Sequence, residues 1–225
     1  MRYNSFYRIH KGLRATLYET ASQLQRTDFE NEQEANSILE SIAAVVDLFD
    51  SHAHHEDTLI FPAVAAHEPS IVDAFEKEHE QDHELCTKLR NLSNVYPSLT
   101  SDAEKIQLGS AIRKSFVEFL TFNLVHMAKE EDIINNLLWK YYTDDEILVI
   151  EQKIVGGQSP EAIAIAAKWM IRGLSNQEIV RWFRVIQKNA PEHIFNNFFS
   201  LAEKELPSHR FREVIDGLTE GQMVL

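Results

Sequence analysis

The amino-acid sequence predicts an all-α fold, an up-down four-helix bundle with a C-terminal helical extension, and three observations carry that reading. Glycine is scarce, with seven in 225 residues and five of those after residue 155. No segment alternates apolar and polar residues as a half-buried strand does, whereas apolar residues recur three and four apart over long stretches. Start signals of the Ser/Thr-x-x-Glu type stand ahead of such stretches at Thr27/Glu30, Ser101/Glu104, Thr143/Glu146 and Ser175/Glu178.

The first helix is expected over 5–25, where Phe6, His10, Leu13 and Leu17 share a face. After the polar connection "RTDFEN" a second runs over 31–67, and a third follows over 70–95. The stretch "YPSLTSD" then leads to a fourth over 102–141. Long helices joined by short loops turn back on one another, which makes an up-down bundle. "VGGQSP", 155–160, breaks the pattern, with Ser159 as an N-cap and Pro160 in the first turn of the next helix. Residues 1–150 are therefore assigned to the bundle, and 151–225 to an extension of shorter helices near 160–172, 176–189, 191–205 and 208–217. Trp169, Trp182, Phe195 and Phe199 give the extension large apolar residues at helical spacing, expected to pack on one another or on the bundle. Arg172, Arg181, Arg184 and Lys188 form a modest basic face that would suit either a protein partner with an acidic surface or the acidic bundle itself.

The chain carries a net charge of −13, and the whole excess lies in residues 1–150, where 26 acids face 13 bases. That surface lacks the lysine and arginine that neutralise phosphates, so no nucleic-acid partner is expected. Nowhere do about 18 apolar residues run uninterrupted, and the leading "MRYNSFYRIHKG" does not resemble a signal peptide. The expectation is a cytoplasmic protein without membrane contact. Cys86 is the single cysteine, which excludes a disulfide framework or a multi-cysteine metal motif within one chain. Any metal has to sit on histidines and carboxylates.

Those residue types fall on the apolar faces. In the second helix the stripe Ile42, Val45, Phe49 continues through His52, Glu56 and Ile60; in the fourth, Ile112, Phe116 and Phe119 lead through Asn123 to His126, Glu130 and Ile133. The pattern HxxxE thus occurs twice. The third helix carries Val72, Phe75, His79, His83 and Cys86 on one face. A single histidine on an apolar face is more often a satisfied core residue than a ligand. Five imidazoles and two carboxylates in one core are a different case, because without a cation each polar group left unpaired costs about 1–3 kcal/mol. His54 and His55 lie off the stripe, His67 ends its helix, and His193 and His209 fall outside the bundle, so none of these is read as a ligand.

The segment "IHKGLR", an HxxxE followed by "LIFP", the later "EHEQDHEL" and the final "HMAKEED" together resemble the hemerythrin-like, or HHE cation-binding, domains. The resemblance covers about residues 5–140. It implies a four-helix bundle holding a non-haem di-iron centre, with His10, His52, Glu56, His79, His83, His126 and Glu130 as ligands. Members of the family differ in whether both histidines of the third helix bind. They also differ in whether the last carboxylate follows its histidine by four residues or five, which makes Glu131 the alternate to Glu130.

Ligand chemistry points the same way. Seven ligands are too many for one tetrahedral zinc, and a calcium or magnesium site would use oxygen rather than imidazole. Two octahedral iron ions would take the five imidazoles, both oxygens of each bridging carboxylate and a shared oxo or hydroxo group, which leaves one position open. That position suits oxygen or nitric oxide as a diatomic ligand. An imidazole-rich shell also holds less negative charge than the carboxylate-rich di-iron sites, which tilts the expectation toward reversible binding or sensing of oxygen, nitric oxide or iron status. Two other classes stay open: a di-iron enzyme acting on peroxide or in iron-sulfur centre repair, and an interaction module whose metal only staples the bundle. No nucleophile with an adjacent base, phosphate loop or nucleotide fingerprint is present in the sequence.

Overall fold

The computed structural model describes residues 2–220, which fold into helices joined by short turns, with no strand among the described residues. In chain order the helices are α1 (Tyr7–Arg26), α2 (Glu32–His55), α3 (Phe61–Ala65), α4 (Pro69–Val95), α5 (Asp102–Lys129), α6 (Asn135–Tyr141), α7 (Asp144–Gly156), α8 (Pro160–Gly173), α9 (Asn176–Asn189), α10 (Glu192–Glu205) and α11 (Ser208–Glu220). A turn of π-helix joins α2 to α3 over Glu56–Ile60, and another joins α5 to α6 over Glu130–Ile134. Among the described residues the architecture is all-α, a helical bundle with further C-terminal helices. The chain divides into two compact units, one holding the described residues up to Phe6 with Thr16–Gly156, the other holding Tyr7–Ala15 with the chain from Gly157 onward.

In the first unit α4 packs against both α2 and α5. Its helix starts show which signals were sound. Asn31 caps α2, accepting hydrogen bonds from the backbone N–H groups of Gln33 and Glu34. Thr27, the expected start, instead stands at the end of α1 and donates its hydroxyl to the carbonyl of Gln23, a local bond that competes with capping. Ser101 precedes α5 without a side-chain cap bond. The Thr143/Glu146 box does form, with bonds in both directions, and it opens α7, a helix absent from the expected series.

The two expected long helices over 31–67 and 102–141 are each widened once. Phe61 N–H reaches back five residues to the Glu56 carbonyl, and Asn135 N–H does the same to that of Glu130. The extra residue per turn moves the inward face along the chain. Ile134 is therefore fully buried, and Ile133, expected on the stripe, is 40% exposed. Beside these turns Phe6, Ile60, Phe61, Val64, Val72, Phe75, Ile134, Leu138 and Ile147 form one apolar cluster. Elsewhere in the unit, Gly109 lets α5 approach Phe29, whose ring would collide with any Cβ at that position, and the Tyr96 hydroxyl donates to the Phe29 carbonyl at 2.9 Å.

The second unit has its own core of Ile171, Leu174, Ile179, Val180, Phe183, Ala202, Leu206 and Val214, with Trp182, Phe195 and Phe199 packed against it. Ser159 caps α8 and a complete Ser175/Glu178 capping box opens α9. The Tyr7–Ala15 segment belongs to this unit through direct backbone contact: a Cβ at Gly12 would lie 2.8 Å from the Met170 nitrogen, and one at Gly173 would strike the Lys11 carbonyl. Lys11 also pairs with Glu178 at 2.7 Å. Of the expected basic face, Arg172 pairs with Glu205 and Arg184 donates to the Gly217 carbonyl, so both hold the extension together. Among the described residues no helix is long and apolar enough to cross a membrane.

Candidate metal centre

Each HxxxE motif closes an α-helix with its histidine and opens a π turn with its glutamate. His52 lies in the last turn of α2 and His126 in that of α5, while Glu56 and Glu130 begin the two π turns. Both carboxylates are sealed from solvent, Glu56 at 1% and Glu130 at 0% exposure. Glu56 faces two ways: its Oε1 is 3.0 Å from His52 Nε2, and its Oε2 is 3.4 Å from His79 Nε2 on α4. Glu130 Oε1 lies 3.2 Å from His126 Nε2 and 3.8 Å from His79 Nε2. One ligand-type atom from each of Glu56, His79, His126 and Glu130 falls within 4.8 Å of the others, and the same holds for His52, Glu56 and Glu130. The two glutamates are common to both groups.

The outer nitrogens of two imidazoles are also accounted for. His79 Nδ1 is 2.6 Å from Asp57 Oδ1, and His126 Nδ1 is 2.8 Å from Glu78 Oε2. An ionised carboxylate only accepts, so each Nδ1 carries a proton and donates it. The two Nε2 atoms then face one another at 3.0 Å, a distance at which they cannot both be protonated. Burial works against protonation, yet Asp57, Glu130 and Glu56 push the His79 pKa up, and Glu130 with Glu78 pushes that of His126 up, so the carboxylates favour a single proton shared between the two Nε2 atoms. Glu130 is in turn held below the ordinary carboxylate range by His126 and His79, despite its burial and the nearness of Glu56. Every one of these shifts reports a cluster that favours positive charge at its centre.

The donor set fits a transition-metal ion. It mixes imidazole nitrogen with carboxylate oxygen, where calcium and magnesium sites use oxygen alone. Two nitrogens bound at about 2.1 Å and at right angles to one ion lie about 3.0 Å apart, which is the His79–His126 spacing. Aromatic rings wall the cluster: Phe61, just beyond the first π turn, stacks on His79 at 5.0 Å, and Phe122 stacks on His126 at 5.9 Å.

Of the residues singled out in the sequence, the structure brings together His52, Glu56, His79, His126 and Glu130. His10 is completely buried on α1, in the segment that belongs to the second unit. Glu131 lies in neither candidate metal-holding group, whereas Glu130 lies in both. His83 is not brought to the cluster: its side chain is 70% exposed and sits 3.6 Å from Asp50. The buried face of α4 runs Val72, Phe75, His79, Asp82, Cys86, Leu89, alternating steps of three and four, and His83 falls one residue past it. Asp82 turns inward instead, accepting from Asn123 Nδ2 at 2.6 Å, with the Cys86 sulfur 3.9 Å from its other oxygen. Burial pushes the Asp82 pKa up. Asp57 and Glu78 were not anticipated, because charged residues beside a ligand read as a solvated helix face.

Residues 1–138 match the model of the hemerythrin HHE cation-binding domain. Among curated proteins, the F-box/LRR-repeat protein 5 of Salmo salar is 22% identical over 153 residues, 68% of this chain and 21% of that protein. That of Mus musculus is 21% identical over the same length and shares, and that of Danio rerio is 21% identical over 135 residues, 60% of this chain and 19% of that protein. The chain thus spans about a fifth of the length of these relatives. No solved structure matches. With more than half of its length matched, and a buried His/Glu cluster where the motifs converge, the chain belongs to the hemerythrin HHE cation-binding domain family.

Proposed function

We propose that the protein is a cytoplasmic non-haem di-iron protein that binds or senses oxygen, nitric oxide or iron status. Glu56 and Glu130 would bridge the two ions, with His52, His79 and His126 as ligands and His10 as a further one, in keeping with its complete burial. The observation that carries this reading is the orientation of Glu56, whose two oxygens turn toward different imidazoles. When bound, a pair of iron ions supplies redox-active coordination chemistry toward a diatomic ligand. The chain contributes fixed imidazole orientation, two buried counter-charges and an apolar wall that keeps bulk water from the cluster. The name of the relatives, F-box/LRR-repeat protein 5, is in keeping with a protein partner, which would make the bundle one component of an assembly; that the partner docks on helices α8–α11 is a further part of the proposal.

Anaerobic reduction of the iron-loaded full chain, followed by oxygen or nitric oxide, tests the reading. A change in the visible spectrum that reverses under inert gas is the expected result. Sustained peroxide consumption well above that of free iron would move the protein to the enzyme class, and a silent spectrum with both gases would leave only a stapling metal.

A further inference from the structure

Each of the two outward-held imidazoles is gripped by a carboxylate that neighbours another helix's ligand in the sequence. Asp57 follows Glu56 and accepts from the Nδ1–H of His79 on α4. Glu78 precedes His79 and accepts from the Nδ1–H of His126 on α5. Lys129 precedes Glu130 and donates to Glu78 at 2.6 Å. Three segments are therefore interlocked: the first two each present one residue to the centre and the adjacent one to the back of the next segment's ligand, and the third returns Lys129 to Glu78.

We infer that Asp57 and Glu78 are positioning residues of the metal centre, fixing the tautomer and ring orientation that aim the Nε2 atoms of His79 and His126 at the cation, with Lys129 holding Glu78 in place. The inference rests on the metal-binding reading above. A ligating imidazole whose other N–H is held by a carboxylate is a better-oriented and more basic donor, and loss of such a partner typically weakens metal binding by about 10–100-fold. Ordinary surface ion pairs would contribute almost nothing. The geometry separates the two cases: the imidazole side chains are 7% and 5% exposed, while Asp57 and Glu78 are 41% and 25% exposed. The carboxylates thus reach inward from the water to nearly buried imidazoles, a setting unlike that of a pair between two exposed side chains. Glu78 has two fixed partners, whereas the hydrogen bond to His79 is the contact that aims Asp57. The His126 arm is consequently the more rigid, and relieving Glu78 of Lys129 is expected to change affinity by less than removing Glu78 itself.

The test uses the full chain. Affinity for ferrous iron is measured anaerobically by chelator competition, cobalt(II) absorption reports the coordination geometry, and melting of the metal-free protein is followed alongside. Asp57→Ala and Glu78→Ala are expected to weaken iron binding by about 10–100-fold and to shift the cobalt spectrum while the metal-free melting temperature stays near wild type. Asp57→Asn and Glu78→Gln keep a carbonyl acceptor and should recover part of the loss. Alanine variants that bind as the wild type does would show that these are surface ion pairs only and overturn the inference while leaving the metal reading intact. Variants that lose metal-free stability in step with affinity, without rescue by Asn or Gln, would assign a structural role and overturn it as well. A wild-type chain that takes up neither metal would remove the metal reading itself, and the inference with it.

Discussion

The junction of α2 with α3 and the junction of α5 with α6 are two versions of one turn that differ at an informative position. In the first, Pro62 stands six residues after Glu56; it has no N–H to offer the Thr58 carbonyl and its ring crowds that oxygen, which alone would account for a widened turn. In the second, the corresponding residue is Asn136, with its N–H intact, and the π turn begins at Glu130 all the same. Proline is therefore not the common cause. What the two share is a glutamate forced into the core one turn after an inward histidine, and π turns of this kind collect at functional sites. Each turn is also braced by a side chain on a nearby carbonyl, Thr58 on His54 at 2.7 Å and Asn136 on Asp132 at 2.6 Å.

The largest effect expected is from emptying either motif. His126→Ala and His52→Ala should each lose or strongly weaken metal, and His126→Ala should cost about 3–5 kcal/mol by leaving buried carboxylates without a cation to pair them; metal analysis with urea unfolding measures both. If His55→Ala emptied the centre while His52→Ala did not, the inward register of α2 would be reversed. Next comes an exchange of the differing residue. Asn136→Pro, placed where Pro62 stands in the other turn, should cost well under the ~3 kcal/mol of a proline in a regular helix, and Pro62→Ala should leave metal content unchanged. A collapse of iron binding in Pro62→Ala would mean that proline, not the glutamate, makes the first turn. Smaller again are the braces: Thr58→Ala and Asn136→Ala should each destabilise by about 1 kcal/mol in chemical denaturation. The smallest effect belongs to His83→Ala, expected within about 0.5 kcal/mol and at full metal content.

Much of this was legible in the sequence, since three-and-four spacing set out the bundle helices and placed His52, Glu56, His79, His126 and Glu130 on inward faces. Two misreadings have separate origins. Counting His83 onto the α4 stripe required consecutive steps of four, and stopping the stripe at Cys86 hid Leu89, which restores the alternation and selects Asp82. Counting Ile133 onto the α5 stripe assumed an α-helical register through Glu130, where the π turn carries Ile134 inward instead. A π turn has no spacing signature of its own, because it follows from what the glutamate does in three dimensions. Asp57 and Glu78 were illegible for a related reason: each acts on a histidine of another helix, and no spacing within one helix records that.

Metal analysis of the full chain, expressed with ample iron and purified without a metal-affinity tag, bears most directly on the shared pair of glutamates. Glu56 and Glu130 belong to both groups of candidate ligands, so two cation positions are expected to fill together. About two iron ions per chain is the predicted content, falling toward none in Glu56→Ala. A single stoichiometric zinc with no iron would contradict it.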